Sequence, residues 1–312
     1  MKLEGIHHIT AITGDAPRNV DFYARVLGLR MVKKSVNQDD PTVYHLFYAD
    51  EQGSAGSDLT FFEYPGAAPG KAGAGMVHRL IHRVRSTDAL DFWTDRLGGE
   101  EIETKRENGS LVFADPEGLE HELAVFDVPD PPLIAQAAEV PDEHALQGFE
   151  AVRAFTTDPE RSRPLLEGGL GFEQRSDAEW EARGEERGGR VLYDRSDTGG
   201  APGGGTVHHV AWSIGLGEQD EWRSRVLAAG ARATPVIDRF WFHSIYFREP
   251  SGVLFELATR GPGFTADEPL ETLGEALTLP PDYEHMRERL QGILTPLPDT
   301  QQWRRAKTSD VT

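Results

Sequence analysis

Two rhythms of apolar residues alternate along the chain. The run IHHITAIT (6–13) has the period of two expected of a strand. It leads into RNVDFYARVLG, where Val20, Tyr23, Val26 and Leu27 share one helical face. Asp15 or Ala16 with Pro17 starts that helix, and Gly28 stops it. Two further strand-like runs follow, VYHLFYAD and LTFFEY, with glycine-rich breaks between them. The predicted unit is βαβββ.

The unit recurs. DPEGLEHELA (115–124) aligns with EPSGVLFELA (249–258) at an offset of 134, and VHRL (77–80) with VHHV (207–210) at an offset of 130. Three further copies are placed at about 76–126, 147–197 and 206–260, with helices TDALDFWTDRLGG, DPERSRPLLEGGLG and EQDEWRSRVLAAG. Four such modules predict an α+β fold of two open β half-barrels with flanking helices. The proline-rich stretch 126–144 reads as a linker. The expected organisation is a module pair over 1–130, a second over 145–262, and a tail over 263–312 with one short helix, DYEHMRERLQGIL.

Composition then narrows the chemistry. The chain has no cysteine, which removes disulfides, thiolate metal sites and cysteine nucleophiles. Any transition metal must use imidazole and carboxylate. A formal charge of 32 − 52 = −20 leaves no cationic surface for nucleic acid. No window approaches the roughly 18 apolar residues of a membrane span, and the N-terminus lacks a signal-peptide core, so a soluble cytoplasmic protein is expected. The acidity, with six lysines beside 26 arginines, fits a high-salt cytoplasm or merely GC-rich coding.

Adjacent histidines open a β-branched run twice, in IHHITAIT and in VHHVAWSI (207–214). Strict alternation puts His8 on one face with Thr10 and turns His7 away; the same parity puts His209 with Ala211 and Ser213. A lone histidine is most often a core or surface residue, but here a sister module keeps the pattern and carries Arg79 at the histidine's place. Carboxylates stand at the ends of the last strands: Glu63, Glu122 and Glu256. Glu256 lies among Leu254, Phe255 and Leu257, where a solitary charge is costly unless paired or bound to a metal. Glu122, in the module with Arg79, reads as a relic or a structural pair. Two imidazoles and one carboxylate form the facial triad that leaves positions open on Fe(II), with Mn(II) as the other candidate. Glu63 as a fourth ligand would instead suit Lewis-acid isomerisation.

Modules with metal histidines on first strands and a glutamate on the last strand resemble the vicinal oxygen chelate superfamily over residues 5–260. Within it the chain most resembles ring-cleaving dioxygenases of the hydroquinone type. The motifs are HHIT, HHVA, and DRFWFHSIYFREPSGVLFE, in which Arg239, Tyr246 and Glu256 give Arg-x6-Tyr-x9-Glu; the tail segment LGEALTLPPDYE is similar as well. The resemblance implies that His8, His209 and Glu256 bind iron, with His7, Thr10, His208, Arg239 and Tyr246 around the substrate. It also implies that modules one and four form the metal half-barrel and two and three a metal-free one, where Phe149 or Glu150 replaces histidine. The REPSG turn sets Tyr246 opposite Glu256, near enough to relay a proton. Arg239 would orient a hydroxyl or stabilise negative charge, and His7 and His208 would orient their neighbours.

The expected activity is therefore Fe(II)-dependent, extradiol-type opening of a hydroquinone-like or catechol-like diol with O2. An aromatic diol and O2 are the partners, a homo-oligomer is allowed, and nucleic acid and membrane are excluded. The competing readings are a glyoxalase-like isomerase or lyase using His8, Glu63, His209 and Glu256, and a metal-free small-molecule binding protein.

Overall fold

A computed structural model describes residues 1–306. The last six residues of the expected tail lie outside the described residues. The first module consists of β1 (Ile6–Thr13), α1 (Ala16–Val20), β2 (Arg30–Asn37), β3 (Asp40–Ala49) and β4 (Asp58–Glu63). The Asp15 side chain caps α1 by accepting from the Arg18 amide, and Gly28, at φ +70, ends the helical segment. Past Val20 the helix widens into a π-helical turn over Asp21–Val26, in which the Leu27 amide reaches back to the Phe22 carbonyl at 2.9 Å.

The second module follows as β5 (Met76–Val84), α2 (Thr87–Gly99), β6 (Thr104–Glu107), β7 (Ser110–Ala114) and β8 (Glu120–Val125). The third has β9 (Phe149–Thr156), β10 (Glu173–Ser176), β11 (Glu179–Arg183) and β12 (Gly188–Arg195). Its expected helix is broken: Pro164 interrupts it, leaving a 3-10 turn at Pro159–Arg161 and a π-helical turn at Pro164–Gly169. The fourth is β13 (Val207–Ile214), α3 (Gln219–Ala228), β14 (Ile237–Asp238), β15 (Phe242–Arg248) and β16 (Leu254–Pro262). In the tail, a 3-10 segment at Pro281–Met286 runs into α4 (Arg287–Ile293).

These strands form two eight-stranded mixed sheets, the first a half-barrel. The orders are β14-β15-β16-β13-β1-β4-β3-β2 and β10-β11-β12-β9-β5-β8-β7-β6. Each sheet takes one module from either side of the 126–144 stretch, joined by an antiparallel pair of first strands: β1 with β13, and β5 with β9. One face of the first sheet contributes Ile9, Val210, Trp212, Phe255 and Leu257 to the main core, together with Val20, Tyr23, Trp222 and Val226 of the helical segments. Its other face carries a smaller apolar cluster with Val32, Phe47, Ala211, Trp241 and Ala258. That second face holds the site.

The expectation that His7 turns away from His8 is overturned by the register. The pairs Ile6↔Trp212 and His8↔Ala211 leave His7 as the extra residue of a β-bulge, and Thr10↔His209 with Ala11↔Val207 leaves His208 as another. A bulge suspends the alternation and re-aims the side chain beside it. The second sheet has the same two irregularities, with His78 and Glu150 as the extra residues.

Candidate metal centre

The bulges bring each histidine pair onto one side of its strand. His7 Nδ1 lies 2.9 Å from His8 Nδ1, and His208 Nδ1 lies 2.8 Å from His209 Nδ1. His7 also contacts the Thr259 carbonyl through Nε2 at 3.1 Å, and a carbonyl can only accept. Nε2 of His7 therefore carries its hydrogen. Burial, with the neighbouring His8 charge, pushes the His7 pKa down to about 3, so the ring is neutral and its Nδ1 is bare. His8 must then donate from its own Nδ1, which leaves its Nε2 lone pair free. The fourth module repeats the Nδ1 contact, but His208 is exposed and no carbonyl among the described residues fixes its tautomer; desolvation of the ring and the neighbouring His209 push its pKa down to about 4, so it is neutral.

The two Nε2 atoms meet Glu256. His8 Nε2 lies 3.2 Å from His209 Nε2 and 3.2 Å from Glu256 Oε2, and His209 Nε2 lies 2.9 Å from the same oxygen. All three side chains are buried, and Glu256 is 0% exposed. Among the described residues, neither Glu256 oxygen receives a hydrogen bond. A buried anion without a donor, faced by two imidazole nitrogens, is unfavourable unless a cation joins them. The spacing fits a cation: bonds of about 2.1 Å give cis donors about 3.0 Å apart in an octahedron and about 3.4 Å apart in a tetrahedron. The observed edges lie close to these spacings, so the three side chains could hold one cation.

The site opens on a narrow cavity of about 30 Å³, lined by residues that include His45, Phe47, Phe62, Arg239 and Tyr246. Tyr246 pairs with Glu256 across β15–β16, as expected from the hairpin, and its ring stands edge-on to His209 with centroids 5.6 Å apart. Burial and the charge of Glu256 push its hydroxyl pKa up. Arg239 lies over the Tyr246 ring at 5.5 Å and donates to both oxygens of Asp39, at 3.0 and 2.8 Å. Thr10 is buried behind the cavity and shares a 2.7 Å hydrogen bond with Thr60.

Glu63 does not join this cluster. Register decides the matter: in the fourth module Ala211 pairs with Glu256, and the matching pair in the first is Thr10 with Thr60. Thr60 thus stands where a fourth carboxylate would, and Glu63, three residues on, faces the other side of β4. It accepts from the Thr295 hydroxyl at 2.8 Å and the Ala16 amide at 3.4 Å. Glu63→Gln should therefore keep a full equivalent of bound metal in elemental analysis; loss of the metal would restore the four-ligand reading.

In the second sheet the position of His8 belongs to Arg79, which pairs with Glu107, Glu120 and Glu122 at 3.3, 2.9 and 3.2 Å. The same register puts Ala151, rather than Phe149 or Glu150, at the position of His209. The guanidinium stands where the first sheet gathers its ligands, which makes Glu122 a structural pair.

A profile of the glyoxalase/bleomycin resistance protein/dioxygenase superfamily matches residues 5–123 and 148–257. The chain belongs to this superfamily. MhqA of Bacillus subtilis strain 168, whose name provisionally assigns it as a ring-cleaving dioxygenase, is 38% identical over 95% of this chain and 100% of its own length. The chlorohydroquinone/hydroquinone 1,2-dioxygenase of Sphingobium indicum is 31% identical over 93% of this chain and 95% of its own. A crystal structure of a Bacillus subtilis protein, described provisionally as a dioxygenase, superposes with a TM-score of 0.88 at 37% identity, covering 95% of this chain and 98% of that one. Glyoxalase I from Zea mays shares the fold alone, with a TM-score of 0.60 at 16% identity over 82% of this chain and 92% of its own.

Sequence reasoning missed His45, Thr60, Asp39 and the aromatic pair Trp241 and Phe242. Only His45 left a signal, since alternation in VYHLFYAD puts it on the face of Phe47.

Proposed function

We propose that the chain is a metal-dependent ring-cleaving dioxygenase, of the extradiol type, that opens a hydroquinone-like diol with O2, with Fe(II) as the native ion and His8, His209 and Glu256 as its ligands. The observation that carries this reading is the open face. Three donors converge from one side, Thr60 replaces any fourth carboxylate, and the remaining side borders a cavity with aromatic walls. Family membership and the names of two full-length relatives support the same reaction class.

A divalent ion bound there would supply Lewis acidity and a meeting point for the diol and O2. The chain's own residues do the rest. His7 holds the His8 imidazole in the tautomer with Nε2 bare, and His208 sits against Nδ1 of His209. Tyr246, beside Glu256 and with a raised pKa, keeps its proton at neutral pH and can lend it to a phenolic or ring-derived oxygen, assistance worth roughly 10²–10⁴-fold. Arg239 places a fixed positive charge at the same wall. Phe47, Phe62, Trp241 and Phe242 keep water from the reacting ring. At about 30 Å³ the cavity is far smaller than the roughly 150 Å³ that holds a benzene, so lining side chains must move to admit a diol.

Anaerobically purified protein loaded with Fe(II) should consume oxygen with methylhydroquinone and give a new ultraviolet-absorbing product. Absence of uptake across a panel of hydroquinones and catechols defeats the proposal.

A further inference from the structure

His45 lies in the same cavity as the triad and has no place in the chemistry described above. It comes from β3, which the sheet order β16-β13-β1-β4-β3 sets four strands from Glu256 on β16 and two from β1, so in a half-barrel it faces the triad from the opposite wall. Its ring is clamped between Phe47 and Phe62, with centroids 3.9 and 4.4 Å away. Nε2 is engaged by the Thr60 hydroxyl at 2.9 Å, and Thr60 in turn by Thr10 at 2.7 Å. Nδ1 has no hydrogen-bond partner and is not among the buried unpartnered atoms, so it is the nitrogen left to the cavity.

The threonine chain gives this nitrogen two roles. If both hydroxyls point toward the imidazole, Nδ1 carries the hydrogen and donates; if both point away, Nε2 carries it and Nδ1 accepts. Burial, with the charges of His8 and His209, holds the ring neutral, and a neutral ring can adopt either tautomer. The polar groups on the triad's side are otherwise committed: Tyr246 stands beside Glu256, and Arg239 is held by Asp39.

We infer that His45 is a specificity-determining residue which receives, at Nδ1, the hydroxyl of a para-diol on the ring edge away from the triad. This deepens the proposed function and rests on it. An ortho-diol presents both oxygens at one edge and leaves His45 unused, whereas a para-diol spans the cavity from the ligand face to the imidazole. In this position a polar group also penalises any ring that offers it only a C–H, because burial would leave Nδ1 unpaired.

Anaerobic calorimetric titration of the metal-loaded protein tests this without turnover, with hydroquinone and phenol as the two probes. The wild type should bind hydroquinone more tightly than phenol. His45→Leu should weaken hydroquinone binding roughly tenfold while phenol, freed of an unpaired Nδ1, binds as tightly as before or more tightly. His45→Asn, whose amide ends near the place of Nδ1, should keep most of the preference, and Thr60→Val should lose part of it. Comparing two probes separates recognition from general damage: an equal loss for both, or none for either, overturns the role of His45. A wild type that binds neither probe overturns the diol reading itself.

Discussion

Glu256→Gln should leave the protein folded but without its ion. Glutamine keeps the size of the side chain and one oxygen, but it removes the only charge among the three donors, so after loading with Fe(II) or Mn(II) the variant should hold close to no metal where the wild type holds one equivalent. Linkage makes the same loss visible in stability. An ion present at 100 times its dissociation constant stabilises the native state by about 2.7 kcal/mol, which for a chain of this size corresponds to a melting temperature roughly 4 °C higher. A chelator should lower the wild-type melting temperature by that amount and leave Glu256→Gln unmoved. Oxygen uptake should fall below detection in the variant. If Glu256→Gln keeps a full metal equivalent and the chelator response, the triad is wrong.

The second large effect is expected at Lys33, far from the ligands yet tied to the cavity wall. Its ammonium is fully buried, donates to Asp267 at 2.8 Å, to Glu268 and to the Phe264 carbonyl at 3.2 Å, and lies 5.2 Å from the centre of the Trp241 ring. Asp267 also accepts from the Trp241 indole at 3.0 Å, so one buried cation fastens the start of the tail to an aromatic wall of the site. Lys33→Met fills the space but leaves two carboxylates without their counter-charge, one of them buried. Breaking a buried pair from one side costs about 3–5 kcal/mol, or roughly 5–8 °C in melting temperature for a chain of this size. Adding Asp267→Asn and Glu268→Gln should recover much of that loss, because the stranded charges are then gone. Calorimetric melts of the single and triple variants decide it; a single variant within 1 kcal/mol of wild type (~1 on the scale of an exposed pair) would show that solvent reaches the cluster.

Much of the fold was legible because its signals are local. Helix α2 occupies Thr87–Gly99, the stretch expected for the second module, with Ser86 capping its start, and Asp15 and Gly28 bound the first helical segment as their chemistry dictates. The third module shows the limit. Its helix was read from similarity to the other three, but Pro164 removes an amide donor and crowds the preceding turn, and the segment became two short irregular turns.

The site divides in the same way. The sequence by itself determined the donor types: no thiolate, a histidine pair given twice, and one carboxylate alone in an apolar strand, which burial makes untenable without a partner. It also determined that Tyr246 stands across from Glu256, because a short turn sets hairpin register. Tertiary structure alone decided the rest. Only the meeting of β1 and β13 brings His8 to His209 across 201 positions of chain, and only the bulges in that pairing set His7 and His208 against the Nδ1 atoms of their neighbours. Strand register, invisible in a string of residues, gave Thr60 the place that the competing four-ligand reading assigned to Glu63 and set His45 on the wall facing the triad. A periodic pattern specifies which face a residue occupies, but the partner on the next strand is fixed by how whole modules pack, and that is where the chemistry was assembled.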